Sequence, residues 1–305
     1  ARALDDPGEF APASRPMPDP PAERRRVDLA VTDMDGIKAD PFAFYAKKIL
    51  RLRTLDPVDA EPTPAWRGTM VHDILEQWAK EDGLDPDKLT ARARAMLAEL
   101  SAHPLTRILW EPRLLEAIDW IGTEMADCLA AGRKPVSVER WGEVELSGVK
   151  LKGRADRIDR LADGSLAIVD YKTGKPPSAA KVKAGFALQL GLIGLIAERS
   201  GFDGEEGERV QGRASGFEYW SLAKAPSGER KGQLGHVGRL TEGKNGIPAE
   251  EVVAHCTREA EEAIAKWILG REPFVAKLHP EHAPYADYDQ LMRLAEWYGR
   301  DGDSA

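Results

Sequence analysis

The sequence predicts an α/β protein with a mostly helical first half, and three observations carry that reading. Apolar residues recur at helical spacing up to about residue 130. From Pro135 the pattern becomes alternating, in VSVERWGEVEL, VKLKGRADRID and SLAIVDYK, with turn signals between them. A long apolar stretch, AAKVKAGFALQLGLIGLIAERS, follows directly.

Taken in order, residues 1–27 are Pro-rich and lack periodicity, so they read as a linker and the chain as a piece of a longer polypeptide. DPFAFYAKKILRL carries Phe42, Tyr45, Ala46, Ile49 and Leu50 at helical spacing, with Lys47, Lys48, Arg51 and Arg53 on the remaining positions, most simply a solvated face. A Pro-rich break covers 57–64. A second helix, about 66–80, has Val71, Ile74, Leu75 and Trp78 as its stripe, and helices continue to about 130 with interruptions at Gly83, Pro86, Pro104 and Pro112. The three alternating segments form an antiparallel meander. AAKVKAGFALQLGLIGLIAERS predicts one helix lying on the sheet despite three internal glycines, GFEYWSLAK a further strand, 225–248 a loop and 249–270 a helix. The organisation is thus a linker (1–27), a helical part (28–135) and a core with a C-terminal tail (136–299).

At 305 residues, 42% hydrophobic and 31% charged, the chain can bury one large core or two modest ones. No apolar run approaches the roughly 18 residues of a membrane span, and no signal peptide is evident, which points to the cytoplasm. Cys128 and Cys256 are far apart and support neither a zinc site nor a disulfide framework. A net charge of −8 argues against a globally basic coat for nucleic acid, and the lack of a GxxxxGK loop excludes an ATP motor.

Chemistry concentrates in GRADRIDRLADGSLAIVDYKTG, residues 153–174. A hairpin folded about Asp163 in the ADG turn sets Asp156 opposite Asp170, Arg154 opposite Lys172 and Ile158 opposite Ile168, all on one face. Opposed like charges are destabilising, so a shared proton, a cationic side chain or a bound divalent ion must offset them. An acid on one strand and Asp-x-Lys on the next suits metal-dependent phosphodiester hydrolysis: the carboxylates are hard ligands for Mg²⁺, and the lysine stabilises charge on the phosphate. The plainer alternative is an exposed hairpin with surface ion pairs. Two features weigh against it. SLAIVDYK is apolar up to Asp170, and His72 sits at the margin of the stripe in GTMVHDILE, with Gly68 one turn before it and Glu76 one turn after.

RGTMVHDILE, GRADRID, IVDYKTGK and ALQLGLI, in this order, resemble the motifs of the RecB-type nuclease domain in the PD-(D/E)XK superfamily. DPFAFYAKKILRLRTLDPVDAEP and PFVAKLHPEH…YADYDQLMRLAEWYG further resemble the C-terminal nuclease domain of AddB subunits, the likeness covering about 28–299. The resemblance implies a restriction-endonuclease-like core, a mixed sheet flanked by helices with a helical N-terminal part. It implies metal ligands at His72, Asp156, Asp170 and the backbone carbonyl of Tyr171, a catalytic lysine at Lys172, and Gln189 near the metal waters or the DNA backbone. It also implies Mg²⁺, with Mn²⁺ able to substitute, and a DNA strand unwound with an AddA-like partner. Ile193 departs from the tyrosine of the family's Gln-x-x-x-Tyr motif. Asp40 stands where many AddB proteins have the first cysteine of an iron–sulfur cluster, so no cluster is expected. The rival readings are a free-standing single-strand exonuclease and a silent fold that only guides DNA.

Overall fold

A computed structural model describes residues 13–53, 55, 64–99, 104–204, 207–283 and 287–299. After a short helical turn at 22–25, the chain runs through β1 (Leu29–Ala30), α1 (Val31–Ile37) and α2 (Pro41–Phe44), the last extended by a π turn to Ile49. Helices α3 (Pro64–Asp82), α4 (Pro86–Glu99) and α5 (Pro104–Ala130) precede the hairpin strands β2 (Lys134–Leu146), β3 (Val149–Arg160) and β4 (Leu166–Lys172). Then come α6 (Ala179–Lys183), α7 (Gln189–Arg199), the short pair β5 (Phe202–Asp203) and β6 (Arg209–Val210), β7 (Ala214–Lys224), β8 (Leu234–Arg239), α8 (Ala249–Ala263) with a π turn to Ile268, and α9 (Leu294–Trp297).

The main sheet has the order β1-β3-β4-β7-β8, with β2 along the other side of β3. It is mixed: β4–β7 and β1–β3 are parallel, whereas β2–β3, β3–β4 and β7–β8 are antiparallel. The continuous apolar run of β4 has its physical reason here, since a central strand flanked by a parallel neighbour is covered on both faces. Leu166 and Ile168 enter one core, with Met34 of α1, Leu192 and Ile196 of α7 and Val252 of α8. Val169 and Tyr171 enter the other, where Val71, Ile74, Leu75 and Trp78 of α3 pack with helices α4 and α5. This is the helix-flanked mixed sheet expected from the sequence.

Four local expectations differ from the structure. Pro112 does not interrupt α5 but lies within it. The apolar stretch after β4 is two helices, not one, because Gly185 adopts φ +79° and a Cβ there would collide with Glu259 and Lys38. The expected loop at 225–248 contains β8, an edge strand hidden in the sequence by its glycines. One of them, Gly235, takes φ +84° and lets the Trp120 ring lie against the backbone. β1, too short to show a pattern, pairs with β3. The first 12 residues of the Pro-rich start and most of the break at 57–64 lie outside the described residues. Pro16 and Pro18, which have carbonyls but no N–H, accept hydrogen bonds from Ala276 and Phe274. Among the described residues, no helix is long and apolar enough to cross a membrane.

Candidate active site

The register of the β3–β4 hairpin is the one set by its turn: Ile158 pairs with Ile168 and Arg157 with Val169. The next rung would join Asp156 to Asp170, and there the ladder ends. In its place the Asp156 carboxylate accepts the Tyr171 backbone N–H at 2.9 Å. The N–H and C=O of a strand residue point to the same edge, so the Tyr171 carbonyl also faces the opening between the strands.

The expected pairing of Arg154 with Lys172 is not formed. Leu151, Ala155 and Ile158 share one core although two are odd-numbered and one even, so the alternation of side chains breaks between Ala155 and Ile158. Arg154 therefore reaches the other face, where its guanidinium binds Glu76 at 2.9 Å and Glu139 at 3.0 Å. Lys172 binds Asp170 at 2.6 Å and donates to Gln189 Oε1 at 3.2 Å.

Helix α3 brings His72 to this opening because its apolar stripe docks on Val169 and Tyr171, leaving the next position at the rim. His72 Nδ1 lies 3.8 Å from Asp156 Oδ2 and 3.8 Å from Glu139 Oε1. These three side chains offer ligand atoms all within 4.8 Å of one another, and the arrangement could hold a metal ion. Asp170 lies outside that group of three, buried and paired with Lys172. Glu139 was not anticipated. It lies in β2 between Val138 and Arg140, which pair with Arg157 and Ala155 and so place it across from Asp156. Its backbone is left-handed, φ 53°, and its side chain is 3% exposed. Among the described residues Glu139 Oε1 has no hydrogen-bond donor. A buried carboxylate oxygen without a donor is costly, and this one is aimed at an imidazole and a second carboxylate. A divalent cation fits that donor set of hard oxygens and one nitrogen.

The electrostatics are those of acids crowded together. Burial first, and Asp156 second, push the Asp170 carboxyl up to about 6, against the pull of Lys172. Burial likewise raises Asp156, despite His72. Burial opposes a charge on His72, but Glu139, Asp156 and Asp170 outweigh it and lift the imidazole to about 8. For Lys172, too, burial opposes the charge, and Asp170 more than restores it. A second unanticipated acid, Asp35 of α1, accepts the Leu188 N–H at the start of α7. Burial raises it to about 6.

Gln189, the first residue of α7, meets Lys172 as described. Ile193 lies one turn further on, buried over Gly153, where an added Cβ would come within 2.5 Å of Ile193 Cδ1. The departure from the family's tyrosine is thus a packing residue facing β3. Asp40 is spent on structure, capping α2 through the Ala43 N–H and accepting the Lys277 N–H, each at 3.1 Å. Of the basic residues around α2, Lys48 is bound to Asp33 at 2.7 Å.

The sequence matches the family model described as the PD-(D/E)XK nuclease superfamily over residues 29–290. An uncharacterized protein of Rickettsia bellii is 30% identical over 188 residues, 57% of this chain and 22% of that relative. One of the two subunits of an ATP-dependent helicase/deoxyribonuclease from Streptococcus mutans is 33% identical over 156 residues, 49% of this chain and 14% of that relative. The chain therefore spans about a fifth or less of the length of these relatives. The crystal structure of SSO0001 overlays on 74% of this chain and 94% of its own at 15% identity, with a TM-score of 0.31, a likeness too weak to inform the fold.

Proposed function

The chain belongs to the PD-(D/E)XK nuclease superfamily, and from that premise we propose that it is a metal-dependent deoxyribonuclease that cuts single strands. The observation that carries this reading is the donorless, buried Glu139 Oε1 beside Asp156 and His72, one step from the Asp170–Lys172 pair. His72, Glu139, Asp156, Asp170 and the Tyr171 carbonyl would hold Mg²⁺, for which Mn²⁺ can substitute. Bound there, the ion supplies Lewis acidity and a more acidic water at the scissile phosphate.

The chain's own groups do the rest. Asp170 and Gln189 hold the Lys172 ammonium in place, where a fixed positive charge stabilises the negative charge that builds on the phosphate oxygens. Asp156 orients the Tyr171 peptide. Arg154 ties Glu139 to Glu76 and so fixes the acid between β2 and the His72 helix.

The resemblance to AddB proteins, together with the distant likeness to the streptococcal helicase/deoxyribonuclease, supports a place in a cytoplasmic helicase–nuclease. There, an AddA-like motor would feed the unwound strand past the site during double-strand break repair. The test is cleavage of end-labelled single-stranded and duplex oligonucleotides by the chain, with Mg²⁺, Mn²⁺ or EDTA. Slow, metal-dependent cutting of single strands is expected, and Lys172→Ala should abolish it while the far-ultraviolet circular dichroism is unchanged. Metal-independent cutting, or full activity in Lys172→Ala, refutes the site. Rapid processive digestion of blunt duplex by this chain alone refutes the motor-coupled role.

A further inference from the structure

Beside Lys172 and Gln189 opens a groove of about 730 Å³ that continues over α1, α2 and the Lys175–Ser178 segment to His282. Its volume is that of a ligand site, not of a packing defect. Four acids and four lysines line it: Asp33, Asp35, Asp40 and Asp287, with Lys47, Lys172, Lys175 and Lys181. Equal numbers suggest neutrality, but the bonding is unequal. Three of the acids are committed to the protein: Asp33 to Lys48 and the Ala30 N–H, Asp35 to the Leu188 N–H, and Asp40 to two backbone amides. Among the described residues, by contrast, the ammonium groups of Lys47, Lys175 and Lys181 enter no ion pair. What the groove offers a ligand is therefore positive charge, continuous with the lysine of the candidate active site.

The far wall is aromatic. Phe186 and His282 stack with ring centroids 3.9 Å apart and planes 22° from parallel. Phe186 is buried, with the Lys38 ammonium 5.1 Å from its ring centre, whereas 28% of the His282 side chain remains exposed. Lys38 is itself held by Glu259 at 2.8 Å. The stack is braced from behind and open in front. A groove with free ammoniums along its length and a braced aromatic face at its end matches a chain of phosphates bearing planar bases.

We infer that this groove seats the single nucleic-acid strand on one side of the scissile phosphate, with Lys47, Lys175 and Lys181 on its phosphates and the Phe186–His282 stack against one unpaired base. The inference rests on the nuclease reading and adds to it the reason for strand selectivity. In a duplex both faces of each base are covered by its neighbours, so only an unpaired strand can present a face to His282.

The test measures binding of fluorescein-labelled oligothymidylate to the chain in Ca²⁺ by anisotropy, across a salt series. Each single-strand phosphate contact contributes about −0.7 to the slope of log K against log salt. Lys175→Ala/Lys181→Ala should therefore flatten the slope by roughly 1.4 and raise the KM for cleavage more than it lowers kcat. His282→Ala should weaken binding about fivefold or more, and His282→Phe should restore it. On an oligonucleotide with abasic positions flanking the cut, His282→Ala should cost nothing further. Equal salt slopes in wild type and the lysine variant, with cleavage intact, overturn the groove alone. An equal His282→Ala loss on abasic and normal strands overturns the stacking. A wild-type chain that neither binds nor cuts DNA overturns the groove and the nuclease reading together.

Discussion

Asp170→Asn tests the crowding of the acids directly, with a change in stability. The Asp170 carboxyl rises from 3.8 to about 6 in the folded protein, chiefly through burial and then through Asp156. A raised acid favours folding while it is protonated. That contribution is complete below pH 4 and is lost as the pH climbs through 6. A shift of about two units at ~1.36 kcal/mol each amounts to roughly 3 kcal/mol. Asparagine has the same shape and no proton to lose. In EDTA, the wild type should therefore lose about 3 kcal/mol more than Asp170→Asn between pH 4 and pH 7. Asp35 and Asp156, both raised by burial, decline in either protein and cancel in the difference. They also keep Lys172 charged through this window. The assay is urea unfolding at four pH values, with Mg²⁺ as a second arm. Millimolar Mg²⁺ should flatten the wild-type decline and leave that of the variant unchanged, because the ion stabilises the ionised folded form by mass action. Parallel curves in EDTA, within about 0.5 kcal/mol, would show that Asp170 ionises in an ordinary environment and would remove the electrostatic case for a metal.

His72→Ala should raise the Mg²⁺ concentration needed for half-maximal cleavage, whereas Glu76→Ala should move it less, since Glu76 binds Lys80 and Arg154 and not the imidazole; the midpoint of a metal titration separates the two. Gly153→Val should destabilise the fold by ~1–3 kcal/mol, because its Cβ would meet Ile193 at 2.5 Å. Ile193→Ala in the same chain should recover part of that loss in thermal unfolding. Gly153→Val as stable as the wild type would mean that α7 does not press on β3.

The hairpin could be read in advance because its turn fixes its register, and the structure keeps the pairs Ile158–Ile168 and Arg157–Val169. Where that ladder stops could not be read, since it depends on a side chain replacing a backbone partner. Glu139 was within reach of the same counting. A turn at Ser147–Gly148 sets it across from Asp156, but its spacing looks like ordinary strand alternation and nothing local marks it as special. Asp35 carries no such signal, because its partner lies 153 residues away and only the folded chain brings α1 to the start of α7. The break between α6 and α7 has a similar origin. Gly185 is one of three glycines in an apolar stretch, and only the contact with Lys38 and Glu259 distinguishes it.

The end of the β3–β4 ladder gives the two aspartates unequal second duties. Asp156 completes the sheet through the Tyr171 amide, whereas Asp170 bonds to a lysine on its own strand. Removing Asp156 deletes a ligand and a rung together, so an inactive Asp156 variant would leave chemistry and architecture confounded. An inactive Asp170 or Lys172 variant keeps the rung, and is the one to use for trapping a bound strand on an otherwise intact protein.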